Sequence, residues 1–341
     1  MSARPSTPRP GSRWPALAAG VLAVALAATG CSDDSSEGDA PSADSPQELT
    51  YQLGWLPTVE WGAHWIADSD GLYEDEGIEF EWLPGGPNVS PDTVVAAGTA
   101  TIGNASSDVV AAAIAEGAPL KIIGAGFKRS PYSIVSLAGS PIESPEDMIG
   151  KRIGVAAGNQ TQFELFLALN DIDAGDLTVV PTQFDPSPVA NGEVDGQVVY
   201  SINEPGQLNV QGIETNTMLF ADFGFDVLTD VYFATEETIE RQPELLAAFL
   251  RATQQGWAEL FEDPQKGVDL TLGEYGGDQG LDEEQQLLEV EAMKELVLSE
   301  GSDETVVMDE ERMQATVDTI AEMGVEISVD DLFDTSIQDM L

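Results

Sequence analysis

Leu49-Thr50-Tyr51-Gln52-Leu53-Gly54-Trp55 alternates large apolar side chains with small or polar ones, a period of two that predicts a strand with one buried face. Ile78, Phe80 and Trp82 alternate with Glu79 and Glu81 in the same way, and residues 60–73 between the two runs read as a helix closing at Gly71. Outward from there the pattern continues. Ser90-Pro91-Asp92 has the form of an N-cap followed by proline in the first turn. The helix it opens gives way near Gly98 to a short strand over 99–103. Ser106 or Ser107 caps a helix over 109–116, and a strand over 120–124 follows. After a break, strand and helix alternate again through 152–156, 162–170, 177–180 and 197–200, and from Gln242 the chain reads mainly helical. Strands alternating with helices of this length predict an α/β fold of mostly parallel sheets flanked by helices.

The chain has 341 residues, 42% of them hydrophobic, which is enough to bury real cores in about two domains. Charge is its unusual feature: 13 Lys and Arg stand against 61 Asp and Glu, a net −48. That excludes nucleic acid as a natural partner, since phosphate binding needs clustered bases. It also excludes docking on anionic lipid through a basic face. An acid excess of this size is expected of a salt-adapted, halophile-like protein, because high ionic strength screens the self-repulsion.

Residues 1–30 read as a signal peptide: Arg4, Arg9 and Arg13 with no acid, an apolar run from Trp14 to Ala28, then Thr29-Gly30-Cys31. The run is shorter than the roughly 20 residues a membrane-spanning helix needs. The stretch before Cys31 resembles a bacterial lipobox, with Ala28 where leucine is commoner. The resemblance implies cleavage before Cys31, lipidation there, and an extracytoplasmic protein anchored to the outer face of the cytoplasmic membrane. Residues 31–47, rich in Ser, Asp, Pro and Gly, read as a flexible acidic tether. Losing three arginines and no acid with residues 1–30 takes the net charge from −48 to −51. Cys31 is the only cysteine, so neither an intramolecular disulfide nor a cysteine metal site is expected.

Catalytic signatures are missing. No GxxxxGK[ST], HExxH or GxSxG run occurs, and Gly124-Ala125-Gly126 lacks the third glycine of a dinucleotide loop. Asp68-Ser69-Asp70-Gly71 lacks the later ligands of a calcium loop and reads as a helix-end turn. His64, the only histidine, lies beside Trp61 and Trp65 in an aromatic helix and reads as a packing or ligand-lining residue rather than a catalytic base. With 61 acids, any pair of carboxylates can be found, so a pair says nothing about acid–base catalysis. The sequence thus predicts no catalytic residue, no metal site and no cofactor.

Leu53-Gly54-Trp55-Leu56-Pro57, Ile66-Ala67 and Gly71-Leu72-Tyr73-Glu74-Asp75-Glu76-Gly77-Ile78 resemble the opening of one family of solute-binding proteins. Its members serve ABC importers of thiamine-precursor pyrimidines, nitrate, sulfonates and taurine. The resemblance continues through Val95-Ala96-Ala97-Gly98, Thr101-Ile102-Gly103-Asn104, residues 142–155 and a helix over 243–257, covering 48–270. It implies a periplasmic-binding-protein-like fold with two lobes, a ligand between them, and two crossing strands, 133–137 outward and 227–233 on return. Lobe 1 is expected over 48–132 and lobe 2 over 133–226. The return strand and the helical C-terminal part, over 227–341, are expected to pack on lobe 1. The same resemblance implies a monomer that hands a small molecule to an importer permease without transforming it.

Ligands of open α/β sheets bind beyond the strand C-termini, where helix N-termini point donors inward. That selects Trp55, Asn104, Ser106, Ser107, Asn159, Gln160, Thr161, Tyr200 and Glu204 as candidate ligand-binding residues. Core packing is the competing reading of Trp55, and plain capping that of Ser106, Ser107 and Thr161. In the pyrimidine-binding members that the chain resembles, the tyrosine matching Tyr200 stacks on the ring and the glutamate matching Glu204 takes its amino hydrogens. An aromatic face with a carboxylate suits a flat, amine-bearing heterocycle. The expected ligand is a thiamine-precursor pyrimidine or, if Trp61, Trp65 and Trp82 widen the pocket, the isoalloxazine of riboflavin. Nitrate, a sulfonate or taurine would favour a base in the cleft; Lys128 and Arg129 are the nearest, though a helix N-terminus can hold an anion without one. A pyrimidine-synthase-like enzyme of this fold relies on a cysteine-rich iron-binding run and a cofactor lysine, which a chain with one cysteine does not supply.

Overall fold

The structure, a computed structural model, describes residues 40–298 and 304–341. The expected signal peptide, Cys31 and the first part of the tether lie outside these residues. The described residues form ten strands: β1 (Gln47–Gln52), β2 (Ile78–Leu83), β3 (Ile102–Ala105), β4 (Leu120–Phe127), β5 (Tyr132–Leu137), β6 (Arg152–Ala156), β7 (Thr178–Thr182), β8 (Gly196–Tyr200), β9 (Thr215–Leu219) and β10 (Thr229–Thr235). They form two five-stranded sheets, ordered β2-β1-β3-β10-β4 and β7-β6-β8-β5-β9.

In each sheet one strand runs against the rest. β10 pairs antiparallel with β3 and β4, and β5 with β8 and β9, whereas β1 lies parallel to β2 and β3, and β6 to β7 and β8. The reversed strands are the ones each lobe receives from the other. The chain leaves the first sheet after Phe127 and enters the second at Tyr132, then leaves the second after Leu219 and re-enters the first at Thr229. The strands expected to cross are therefore these two receiving strands, and the crossing is made in the segments just before them.

Local chemistry shifts several expected boundaries. β1 ends at Gln52, not Trp55, because the following segment lifts over the sheet edge. A Cβ on Gly54 would lie 2.8 Å from Asn104 Oδ1, and one on Gly85 2.5 Å from the Trp55 nitrogen, so only glycines let the chain pass there. β3 starts at Ile102 because Gly98, at φ +70°, is still turning out of the preceding helix. The helix expected over 60–73 divides at Gly71, φ +75°, into Gly62–Ser69 and Leu72–Asp75, preceded by a 3-10 turn, Val59–Trp61. The expected tether, 31–47, also ends early. Ser42 and Ser45 are bridged, with Ser45 donating to the Ser42 carbonyl at 2.8 Å, and Gln47 already belongs to β1. Gly77 makes room for Ser42, whose backbone nitrogen lies 2.2 Å from where a Cβ would stand.

The helix Glu283–Val297 departs furthest from its expected pattern. Gln285, Gln286 and Glu289 are buried on its inner face beside Val290, Met293 and Val297, while Leu288 is 39% exposed. That polar face touches both lobes, not lobe 1 alone. Val59 donates to Gln286 at 2.8 Å, and Gly206, on the second-lobe helix Glu204–Asn209, lies against Gln285 and Leu288. The helix Glu310–Glu322 keeps the expected stripe and buries Met313, Val317 and Ile320.

Behind the first sheet, His64 sits in a cluster of Tyr51, Trp61, Tyr73, Tyr232 and Phe249, its ring 5.7 Å from Phe249 and nearly parallel to it. Its Nδ1 is 2.8 Å from Tyr73 Oη, which is 3.1 Å from Thr253 Oγ1. Burial holds its pKa down at about 3, so the imidazole is neutral. Trp65 stacks on Tyr275 at 4.4 Å and meets Trp82 at 5.1 Å. Trp61, Trp65 and Trp82 thus belong to this core and widen no pocket. Among the described residues no helix is long and apolar enough to cross a membrane.

Candidate functional site

The C-terminal ends of β1, β3 and β4, with the start of β10, make one edge of the first sheet. The C-terminal ends of β6, β7 and β8, with the start of β5, make the matching edge of the second. Contacts join the two. The half-buried Trp55 ring meets Phe184, just past β7, edge-on at 4.9 Å. Gln162 Nε2 donates to Asp108 Oδ2 at 2.7 Å. Gln285, from the C-terminal helix, donates to Asn203 at 3.3 Å.

On the first-lobe wall, Asn104 is buried at the end of β3, and neither atom of its amide has a hydrogen-bond partner. Ser106 stands at the N-cap of the helix Ser107–Ala115, but its hydroxyl donates to the Asp108 carboxylate instead of receiving a backbone N–H. Ser107 is fully buried with its hydroxyl unpartnered. The Asp108 carboxylate, in the first turn of this helix, adds negative charge at its N-terminus.

On the second-lobe wall, Asn159 is buried, while Gln160 and Thr161 are exposed and Gln160 donates to Glu164 along its own helix at 2.8 Å. It is Gln162, one turn on, that reaches the other lobe. Tyr200 is half-buried and packs edge-on against Tyr132 at 4.9 Å. Glu204 opens the helix Glu204–Asn209, is buried, and accepts from the Tyr200 backbone at 3.2 Å. Burial pushes its carboxyl up to about 7. The structure thus brings Tyr200 and Glu204 together, sets Trp55, Asn104, Ser106 and Ser107 on the other wall, and leaves Gln160 and Thr161 facing solvent.

Three further acids complete the site. Asp230, near the start of β10, has a left-handed φ of +49°, which aspartate tolerates better than most residues. Gly126 opposite supplies the room, since a Cβ there would lie 3.2 Å from Asp230 Cβ. The Asp230 carboxyl lies beside that of Glu60, from the Val59–Trp61 turn, so the two disfavour being charged together. Burial raises Asp230 to about 7 and Glu60 well above the usual carboxylate range, with Asp230, Glu289 and Glu204 adding repulsion at Glu60. Glu289 accepts from Thr58 at 3.0 Å and from Gln285 and Gln286 at 2.9 Å, and burial lifts it to about 7.

No base neutralises this group among the described residues. Lys128 donates to the Glu304 carbonyl at 2.6 Å, and Arg129 pairs with Asp222 at 2.7 Å. Nor are three His, Cys, Asp or Glu residues arranged to hold a metal ion among the described residues. Carboxyls near neutrality both donate and accept, so the site suits ligands rich in N–H groups and flat rings.

The chain is similar along much of its length to proteins of known activity. Riboflavin-binding protein RibY of Chloroflexus aurantiacus is 28% identical over 245 residues, 68% of this chain and 68% of that protein. The 4-amino-5-hydroxymethyl-2-methylpyrimidine phosphate synthase of Legionella pneumophila is 26% identical over 234 residues, 65% of this chain and 72% of that one. In fold the chain resembles the periplasmic aliphatic sulphonate binding protein SsuA from Escherichia coli, at TM-score 0.63 and 16% identity, over 81% of this chain and 91% of that one. Residues 61–267 match the family described as NMT1/THI5 like, and the chain belongs to that family.

Proposed function

We propose that this chain is the solute-binding lipoprotein of an ABC importer, which captures an amine-bearing heteroaromatic nutrient outside the cytoplasmic membrane and passes it to a permease. The observation that carries this is the pairing at the end of β8: a tyrosine ring beside a buried carboxyl near neutrality, with Trp55 of the facing wall meeting Phe184 of the same lobe. Kinship with a riboflavin-binding protein and with an enzyme of pyrimidine synthesis supports a flat, nitrogen-rich ligand. The structural likeness to a sulphonate-binding protein supports the clamp more than its cargo, because the buried Asp108 carboxylate adds negative charge where a helix N-terminus would otherwise favour an anion. Binding without transformation fits a cleft of carboxyls and aromatic rings with a single cysteine in the whole chain.

The test is a thermal-shift panel of pyrimidines, flavins, taurine, nitrate and alkanesulfonates, followed by calorimetry of any hit. Tyr200→Ala and Glu204→Ala should each weaken a heterocycle about tenfold or more, from lost stacking and a lost charge-assisted hydrogen bond. A sulfonate or nitrate that binds while no heterocycle does would overturn the ligand class. For the anchor, Cys31→Ser in a bacterial host should block processing or release the protein from the membrane fraction; unchanged retention would count against lipidation.

A further inference from the structure

We infer that Glu60 and Asp230 form a subsite for a positively charged nitrogen of the ligand. This rests on the reading of the cleft as a solute site and narrows it to cations. Both carboxyls are more than nine-tenths buried, and they come from separate elements, the turn before the first helix and the strand that returns from the second lobe. Asp230 holds a left-handed backbone at the second residue of β10, and Gly126 leaves the space that conformation needs. A strained residue is kept where the surroundings over-determine it, here aiming a carboxyl over the sheet edge.

Unpartnered groups point the same way. Tyr51 Oη is fully buried beside Asp230, burial holding its phenol well above the ordinary range, and the buried Asn104 amide lies close by, yet none of their polar atoms has a well-formed hydrogen bond. Buried polar atoms without partners are uncommon. Here one hydroxyl and one amide wait at the pair that has no counter-ion.

The charged and titratable groups that face Asp230 and Glu60 are Glu204, Glu289, Tyr51, Tyr132, Tyr200 and Tyr232, with Asp108 beyond Tyr132. All are acids or phenols. Such a site disfavours an anion, and with no three metal-ligating side chains converging among the described residues it suits an organic cation better than a metal ion. When the cation enters, a proton held by the pair leaves to solvent.

Two matched pairs of probes test this on the full chain: 4-amino-5-aminomethyl-2-methylpyrimidine against its 5-hydroxymethyl counterpart, and benzylamine against benzyl alcohol. In each pair a protonated amine replaces a hydroxyl at nearly constant shape. Calorimetry at pH 7 should show the amine binding about tenfold or more tightly than the alcohol in at least one pair. Repeating it in buffers of different ionisation heat should show proton release on amine binding. Glu60→Gln and Asp230→Asn should reduce the amine's advantage below about twofold; asparagine also accepts the left-handed conformation, so Asp230→Asn should fold. An alcohol that binds as well as its amine would remove the cation subsite and leave the solute-binding reading standing. So would an advantage that survives both variants, or amine binding without proton release. If no member of either pair binds, the subsite falls too, and the heterocycle panel alone then judges the broader reading.

Discussion

Tyr51 and Tyr73 belong to one aromatic cluster, both fully buried and both near Phe249, yet their hydroxyls live differently. Tyr73 Oη is held by His64 and Thr253, and Thr253 in turn donates to the Phe249 carbonyl at 2.8 Å. Tyr51 Oη, at the cleft edge, has no partner, and the same is true of the Asn104 amide and the Ser107 hydroxyl. Burial is equal in the two regions; satisfaction is not. A protein interior normally closes its hydrogen-bond accounts, so on the proposed reading of the cleft its ligand would complete the ones left open at this edge.

The core half of that comparison should break first. His64→Ala opens a cavity under Phe249 and takes one partner each from Tyr73 and Tyr232. The expected loss is about 3 kcal/mol of stability, read from urea denaturation, with ligand affinity of the remaining folded protein unchanged. A variant that keeps its stability but loses ligand would place His64 in the site and erase the distinction.

Acidity separates the regions with opposite signs. His64, at about 3, binds fewer protons folded than unfolded between pH 3 and 6.5, so its contribution to stability rises with pH through that window. Glu204, Asp230 and Glu289, at about 7, bind more protons folded than unfolded from the ordinary carboxyl range up to 7. Their contribution falls as pH rises through the same range. Single substitutions expose the two limbs. His64→Gln should gain stability over the wild type as pH falls from 6.5 towards 3. Glu289→Gln should gain as pH rises from 4.5 to 7, because Thr58 can accept from the new amide where it donated before. Each difference is expected to be about 1–3 kcal/mol across its window, measured as melting temperature from pH 3 to 8. Difference curves that slope the same way would show that the two regions do not titrate apart.

Much of the frame was legible in the sequence because it rests on periodicity. The alternation at Leu49, Tyr51 and Leu53 and at Ile78, Phe80 and Trp82 reports which face is buried, and the structure buries Leu49, Tyr51 and Ile78 fully or nearly so. Trp55, Tyr200 and Glu204 could be nominated from the sequence because such folds bind at strand ends. Glu60, Asp230 and Glu289 were not, for a reason of contrast: in a chain with 61 acids, one more carboxylate carries no signal. Asp230 left the clearest trace, as the one charge in the otherwise apolar or hydroxylic run from Val227 to Ala234. Glu289 was hidden by its neighbours, since Leu287 and Leu288 suggested an inner face that the structure gives to Gln285, Gln286 and Glu289. Gly126 and Gly54 acquire meaning only once the chain segments they admit are in place.

The finest test returns to the two tyrosines. Each is changed to phenylalanine, which deletes one hydroxyl and leaves the ring and its packing in place. Tyr73→Phe removes a satisfied hydroxyl and leaves His64 Nδ1 and Thr253 each short of a partner, at an expected cost of about 1–1.5 kcal/mol. Tyr51→Phe removes a hydroxyl with no well-formed hydrogen bond, its nearest polar neighbour being the Asn104 amide, so ligand-free stability should hold or rise by up to about 1 kcal/mol. Binding should respond in reverse order, with the Tyr51 variant losing several-fold in affinity, about the value of one neutral hydrogen bond, and the Tyr73 variant losing none. The contrast matters more than either value, because the two substitutions remove the same atom from equally buried rings a few ångströms apart in one cluster. If Tyr51→Phe destabilises the free protein as much as Tyr73→Phe does, its hydroxyl has a partner within the fold, and the cleft edge has nothing left to offer a ligand at that point.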